Sequence, residues 1–465
     1  MKPLKLLLNK SFVLALLFLL VQQIIVASST FWISYLSEAV VTGYNIRLYL
    51  YLFVGSLFLV YIPGFFSSYF FEIARAKSLL EYSLTYAKSY SYLTSFLNDK
   101  KLRDEKEPWL TSESSKTLEE SYHLVYDAIS LILNMSLNVL ALCFAIDSRL
   151  LLGYLICAII IPCIAKYFKK NLTETGIGLQ NSRKDLSQVT LSGWDNILTG
   201  NTYNLTIWIA QFRQKWLSYK KATIKNTVIN LFSSNLTMVC SLLPVMAFFI
   251  LIFSSTNDVT KMAALIATLP RQIQIIQHLD VFVRYVMYWH GAYAKLKALD
   301  ESLIPPVVDL IELKKRIQFS NFSFYINGQK FDFADYEDFI EKLGKTRSGR
   351  VTICGANGSG KSTLLHLVKQ ILEGKAFYLA AVNNLLFKGT DTDAFSTGQR
   401  VMKKIEEASS ILEPSQILLL DEWDANLDNK NIERISSSLD MVAAKNCIVE
   451  VRHRYTPSPL VYVNI

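Results

Sequence analysis

Val351-Thr352-Ile353-Cys354-Gly355-Ala356-Asn357-Gly358-Ser359-Gly360-Lys361-Ser362-Thr363-Leu364 is the stretch whose reading decides the C-terminal fold. It fits G-x-x-x-x-G-K-[ST], preceded by a β-prone run, Val351–Cys354, and followed by an apolar helix-prone run, Leu364–Leu372. A loop that cradles phosphate requires that strand-to-helix context. Its glycines let backbone N–H groups close around phosphate oxygens, and the helix N-terminus adds partial positive charge. Lys361 supplies a mobile cation for the outer phosphates, and Ser362 offers a hydroxyl to Mg²⁺. Gly355, Asn357, Gly358, Ser359, Gly360, Lys361, Ser362 and Thr363 are therefore the candidate nucleotide-binding residues.

Working outward toward the C-terminus, Ile417-Leu418-Leu419-Leu420-Asp421-Glu422 is an apolar run closed by two acids, 60 residues beyond Lys361. A buried strand here would deliver Asp421 to the sheet edge as a second Mg²⁺ ligand and set Glu422 to polarise an attacking water. His453 closes a further β-prone run, Cys447–Val451, and is a candidate γ-phosphate contact. Toward the N-terminus, Pro305-Pro306 and the charged residues up to Arg316 mark 301–316 as a linker. Residues 317–465 alternate strand and helix patterns, as in an α/β domain.

The rest of the chain has a different character. Of 465 residues 51% are hydrophobic and 19% charged, against about 25% charged in a typical soluble domain. Residues 11–37, 48–71, 128–146, 150–165 and 226–257 carry no charge. A membrane span takes about 20 mostly apolar residues, so these read as five spans. The first is too long for a cleaved signal peptide. A sixth is expected at 262–289 despite Arg271, Asp280 and Arg284, because Asp280 and Arg284 are spaced to pair on one helix face. Six spans give residues 1–300 as the membrane domain, with helical cytoplasmic extensions at 72–126 and 166–225. The segments placed inside hold twenty-one Lys and Arg and the outer loops three (Arg47, Arg149 and Lys261), in the sense of the positive-inside rule.

Polar residues recur at helical spacing within two spans: Asp127, Ser130, Asn134 and Asn138 in the third, Arg271, Gln274, His278 and Tyr285 in the sixth. Such stripes face a bundle interior or a wet path, or hold helices together by hydrogen bonds. The net charge of +9 is spread along inner loops, so it speaks for contact with anionic lipid and not for nucleic acid. The six cysteines show no metal-ligand spacing and read as buried small residues.

Taken together, these motifs resemble an ATP-binding cassette (ABC) half-transporter of the exporter type, with the membrane domain fused ahead of the nucleotide-binding domain. Phe395-Ser396-Thr397-Gly398-Gln399-Arg400 resembles the family's signature loop, with Thr397 where glycine is usual. Asp421–Asp428 resembles the second acidic motif running into the D-loop, and Val451-Arg452-His453-Arg454 the switch-histidine segment. The resemblance implies that Tyr325 stacks on adenine, and that Ser396, Gly398, Gln399 and Asp428 contact nucleotide across a dimer of two chains, most simply a homodimer. It implies Glu422 and His453 as catalytic residues, Ser362 and Asp421 as Mg²⁺ ligands, and ATP with Mg²⁺ as cofactors. Leu191–Gly200 and residues near 96–110 fall where exporters carry coupling helices. The implied activity is ATP-driven export of a small or peptide-like substrate, by a multi-pass protein of the cell membrane whose cassette lies in the cytoplasm.

The cassette departs from the family pattern in one region. Only 35 residues separate Lys361 from Ser396, where the family inserts a helical subdomain, and no Gln lies between Gln370 and Gln399 to serve the Q-loop. These deletions keep two alternatives open: a nucleotide-gated channel or membrane regulator with weak hydrolysis, and an importer of the same architecture.

Overall fold

The computed structural model describes residues 3–91, 93–97, 99–307, 310–380, 385–388, 397–413, 416–425 and 427–452. The chain forms two compact units, one of Met1–Leu84 with Thr111–Glu301, the other of Thr85–Leu110 with Ser302–Ile465. The first unit is helical. Its helices are α1 (Lys10–Thr42), α2 (Ile46–Leu59) and most of α3 (Tyr61–Tyr90). After α4 (Lys100–Leu110), which belongs to the second unit, come α5 (Ser112–Ala145), α6 (Leu150–Leu191), α7 (Gly193–Leu198), α8 (Thr202–Ser255), α9 (Val259–Ala267) and α10 (Leu269–Ser302).

Local sequence sets these boundaries. Asn9 caps α1 by accepting a hydrogen bond from Phe12 N at 2.9 Å, and Gly43, at φ 77°, ends it. Five helical stretches are long and apolar enough to cross a membrane: Lys10–Thr42, Ile46–Tyr90, Ser112–Ala145, Leu150–Leu198 and Thr202–Ser255. Leu17, Val21, Phe58, Phe144, Ile159 and Leu243 on these helices are exposed, a surface suited to lipid and costly in water. The buried positions instead include Gln23, Thr30, Asn134, Asn138, Thr237 and Ser241.

The segment expected as a sixth span is not among the five. The helix is interrupted at Thr268, leaving the nine-residue α9 too short, and Arg271, Asp280 and Arg284 lower the apolarity of α10. The pair expected within it is present: Arg284 Nη2 lies 2.8 Å from Asp280 Oδ2. Helices α6 and α8 run 42 and 54 residues, about 63 and 81 Å at 1.5 Å per residue, far beyond a hydrocarbon core of about 30 Å. Gly153 lets them approach closely, since a Cβ there would stand 3.3 Å from Val245 Cα.

The second unit is built on a mixed six-stranded sheet. Its strands are β1 (Phe322–Ile326), β2 (Gln329–Phe331), β3 (Gly349–Gly355), β4 (Ala376–Ala380), β5 (Ile417–Asp421) and β6 (Cys447–Val451). The spatial order is β2-β1-β3-β6-β5-β4, with β1 antiparallel to both its neighbours and the last four strands parallel. Asn327 and Gly328, both at positive φ, form the two-residue turn between β1 and β2. Every residue of β5 and β6 is buried, as parallel strands covered on both faces require. Ile417, Leu419, Val449 and Val451 point into one core with α12 (Tyr336–Lys345) and α13 (Lys361–Leu372). Leu418, Leu420 and Ile448 point into the other, with α14 (Thr397–Ile411) and α15 (Asn429–Ala443). A short helix, α11 (Leu310–Lys315), precedes the sheet.

Residues 85–110, part of the extension read as 72–126, fold with this second unit. The hydroxyl of Tyr90 donates to Ser302 O at 2.9 Å, and a 3₁₀ turn, Thr94–Phe96, packs on α13, where Thr94 Oγ1 donates to His366 O at 3.1 Å.

Candidate functional site

The glycine-rich loop leaves β3 at Gly355 and enters α13 at Lys361, as the sequence pattern requires. Gly360 has φ 96°, and a Cβ there would stand 2.5 Å from Arg316 O. The backbone is therefore left-handed and has no room for a side chain. The loop is braced internally, Ser359 Oγ donating to Ala356 O at 2.7 Å, and externally, Gln318 N donating to Ser359 O at 3.0 Å. Leu364 N makes the first bond back to Gly360 O, so the N–H groups of Lys361, Ser362 and Thr363 occupy the helix's first turn, where α-helices leave donors available. Lys361 folds back over the loop, its Nζ 2.9 Å from Gly355 O and 3.0 Å from Ala356 O.

A cavity of about 690 Å³ opens at this point, lined by Arg316, Asn357, Gly358, Gly360, Lys361, Ser362, Thr363 and Glu422. Two cations and a helix N-terminus on its wall suit it to a polyanion. Beside it, Ser362 Oγ donates to Asp421 Oδ1 at 3.0 Å. Octahedral Mg²⁺ holds oxygens at about 2.0–2.1 Å, which sets adjacent ligands about 2.9 Å apart, so this hydroxyl and carboxylate already have the spacing of two neighbouring ligands. Burial pushes the Asp421 carboxyl up, outweighing its bonds from Tyr378 and Ser362, and the neighbouring Glu422 adds to the rise. A carboxylate so short of positive charge suits a cation. Among the described residues no cluster of three His, Cys, Asp or Glu side chains could hold a metal unaided. Any Mg²⁺ here would complete its shell with water and phosphate oxygens, its usual habit.

Glu422 follows Asp421 at φ 51°, a left-handed conformation costing a non-glycine residue about 1–2 kcal/mol. Its backbone is held by Glu422 N donating to Val451 O at 3.1 Å. This turn takes the chain off the sheet and puts Glu422 on the cavity wall. Strain held at such a point is characteristic of functional sites. The next residue anchors the turn, Trp423 Nε1 donating to Glu450 Oε2 at 2.9 Å. Glu450, fully buried, also accepts from Arg350 Nε at 2.9 Å, Arg350 Nη2 at 2.9 Å and Thr352 Oγ1 at 2.8 Å. Burial pushes the Glu450 carboxyl up, but Arg350, Arg452 and Trp423 more than reverse this and hold it below the usual carboxylate range.

Three residues of the site escaped the sequence reading. Arg316 lines the cavity. Tyr378, on β4, donates its hydroxyl to Asp421 Oδ2 at 2.9 Å, and His366, on α13, lies 2.9 Å from the same hydroxyl through Nε2. Burial lowers His366 to about 4, so it is neutral at neutral pH. The phenol's single proton goes to the carboxylate, which leaves Nε2–H of His366 as the donor to Tyr378. The result is a hydrogen-bonded line from α13 through β4 to the Ser362–Asp421 pair.

The remaining expected site residues are placed elsewhere. Tyr325 lies within β1, paired in register with Lys330 and Thr352, and is not part of the cavity wall. Asp428 caps α15, accepting from Asn431 N at 2.7 Å, and is exposed. Gly398 lies in the first turn of α14, with Gln399 exposed beside it. Ser396 and His453 lie outside the described residues. Compared with known proteins, the chain matches no family model and no curated protein.

Proposed function

We propose that the chain is an ATP-binding cassette half-transporter of the exporter type, working as a dimer. In this reading six membrane spans, α10 supplying the sixth, are joined to a P-loop nucleotide-binding domain that faces the cytoplasm. The observation that carries it is the convergence of Ser362 and Asp421, 3.0 Å apart, with Lys361 and Glu422 around one polyanion-sized cavity at a glycine-rich helix start. Strand order supports it as well. β6 lies between the loop strand β3 and the acidic strand β5, so the glycine-rich loop and the acidic pair, distant in sequence, leave the same end of a parallel set of strands.

Within this reading each side chain has a task. The loop N–H groups and Lys361 bind the phosphates. Ser362 and Asp421 hold Mg²⁺, which supplies charge neutralisation at the β- and γ-phosphates. Glu422 orients and deprotonates the attacking water. His453, Ser396, Gly398, Gln399, Asp428 and Tyr325 keep the roles the family resemblance assigns them, completed by the partner chain. The test is ATPase activity of the full-length protein in liposomes. Glu422→Gln is expected to retain ATP with turnover at least a hundredfold lower, and Lys361→Ala to weaken ATP binding. Unchanged turnover in Glu422→Gln removes Glu422 from the base role. Absence of ATP binding by the wild-type protein removes the function itself.

One observation favours a second reading. Only residues 381–396 separate β4 from α14, too few for a helical subdomain. A nucleotide-gated channel needs less mechanical coupling than a pump. An ion leak opened by a non-hydrolysable ATP analogue would favour the channel, and substrate-stimulated ATPase the pump.

A further inference from the structure

Arg271 sits near the start of α10 and is half-buried. Its Nη2 donates to Ser29 Oγ on α1 at 2.9 Å, and its Nη1 to Gln274 Oε1 at 3.0 Å. Both partners are neutral, and among the described residues no carboxylate lies within ion-pair distance of it. The other ionisable groups of this face are differently placed: Asp280 is paired with Arg284, and Asp127 accepts from Tyr285 at 3.3 Å. A guanidinium has five N–H donors in a planar fork, so most of Arg271's donor capacity remains. A lone cation among apolar helices is costly and is ordinarily matched by an opposite charge.

Ser29 and Gln274 hold two of the fork's donors, and further polar side chains lie along the same face. One and two turns along the same face, Gln274 and His278 continue the stripe. His278 Nδ1 lies 3.0 Å from Asn134 Oδ1 on α5, and Asn134 Nδ2 donates to Gln23 Oε1 on α1 at 2.7 Å. Asn138 Nδ2 donates to Asn134 O at 2.8 Å, and Thr30 Oγ1 to Asn138 Oδ1 at 2.8 Å. This network ties α1, α5 and α10 together through neutral side chains. Beside it Arg271 carries a charge whose partners among the described residues are neutral.

We propose that Arg271 binds the carboxylate or phosphate of an amphipathic organic anion, the fork matching two oxygens at once. The inference rests on the reading of α10 as a membrane span lining a substrate path, and it narrows the substrate class to anions. The same oxyanion chemistry is offered by a transported acid and by a lipid headgroup.

The test is binding, measured without ATP. Full-length protein in neutral detergent is melted in the presence of dodecanoate, of its methyl ester, and of phosphatidic acid. Dodecanoate or phosphatidic acid is expected to stabilise the wild type and the ester not. Arg271→Gln is expected to weaken the effect about tenfold or more in midpoint concentration, and Arg271→Lys, which keeps the charge without the fork, by less. Protection by dodecanoate assigns the site to a soluble anion, and protection by phosphatidic acid alone to a lipid headgroup. Equal effects of acid and ester, or undiminished binding in both variants, overturn the proposal. Lys361→Ala should leave anion binding intact, so failure of the nucleotide site and failure of this site are told apart.

Discussion

Replacing Asp421 by Asn should make the nucleotide-free protein more stable while removing its response to Mg²⁺. Asp421 is buried, and among the described residues its carboxylate accepts two hydrogen bonds, from Tyr378 at 2.9 Å and Ser362 at 3.0 Å, with Lys361 adding a smaller favourable charge. An amide keeps both: Asn Oδ1 can accept from Tyr378, and the Ser362 hydroxyl can turn to accept from Nδ2. Each bond falls from charge-assisted to neutral strength, a loss of roughly 1 kcal/mol apiece. The desolvation cost of a buried ion, several kcal/mol, disappears. The balance is a gain of about 1–3 kcal/mol, or about 3–9 °C for a unit of this size. The pH dependence fixes the sign independently. Because burial raises the native value, the folded state holds this proton more tightly than the unfolded chain. Its contribution to stability is full below the ordinary Asp value of about 3.9 and is lost as pH rises through the raised value. The advantage of Asn should therefore be largest at neutral and higher pH and shrink toward pH 4. The assay is thermal denaturation of the detergent-solubilised protein at pH 5 and 8, with and without Mg²⁺-ATP. On the proposed reading, nucleotide at a hundredfold excess over Kd adds about 2.7 kcal/mol to the wild type, and the variant should lose the Mg²⁺-dependent part of that increment. A variant that melts below the wild type without Mg²⁺, or gains most at acid pH, refutes the reasoning.

Gly360→Ala and Gly358→Ala should separate packing from backbone strain. Both positions are left-handed, but the added methyl meets Arg316 O at 2.5 Å at 360 and nothing within 4 Å at 358. The second variant should lose about 1–2 kcal/mol, and the first should melt lower still and lose nucleotide binding as the Gln318–Ser359 bond is forced open. Glu450→Gln removes the fully buried counter-charge of Arg350 but leaves it Asp440 at 2.7 Å, and should cost about 1.5–3 kcal/mol in chemical denaturation. The wild-type contribution is present above the ordinary Glu value of about 4.3 and is lost as pH falls through the depressed native value, so the gap between the two proteins should close in acid.

The elements read from sequence are those whose signals are local. Strands β3, β5 and β6 and helix α13 announce themselves by apolar runs with fixed motif spacing, and five long apolar helices by absence of charge. Tyr378, on a strand, reads as an ordinary core aromatic. Its role depends on β4 pairing with β5 in the register that sets Ala380 opposite Asp421, which no local pattern encodes. Arg316 falls in a stretch that reads as linker, and it is the bond from Gln318 to Ser359 and the packing of its backbone on Gly360 that set it beside the loop. His366 looks like a polar interruption of an apolar helix until Tyr378 is found against it. Tyr325 shows a different limit. The resemblance supplied its role, and the structure adds its register on β1, opposite Thr352 and Lys330.

The shortened interval after β4 raises the question of what connects the phosphate site to the rest of the second unit. A continuous line of hydrogen bonds is available. Ser362 meets Asp421, Asp421 meets Tyr378, and Tyr378 meets His366, whose carbonyl receives Thr94. Thr94 follows the end of α3 by four residues, and α3 belongs to a helical stretch apolar enough to cross a membrane. On the proposed reading, Ser362 and Asp421 would hold the cation in place of their direct hydrogen bond, and its charge would compete with Tyr378 for the Asp421 carboxylate. Tyr378 must then follow Asp421 Oδ2 or give up a charge-assisted bond worth about 1.5–3 kcal/mol. His366 is neutral, so no ionic attraction opposes its movement with the phenol. Such a line is short and part-buried, with Asp421 and His366 its buried members. On the proposed reading, one tyrosine and one histidine tie the phosphate site to the turn Thr94–Phe96 within the second unit.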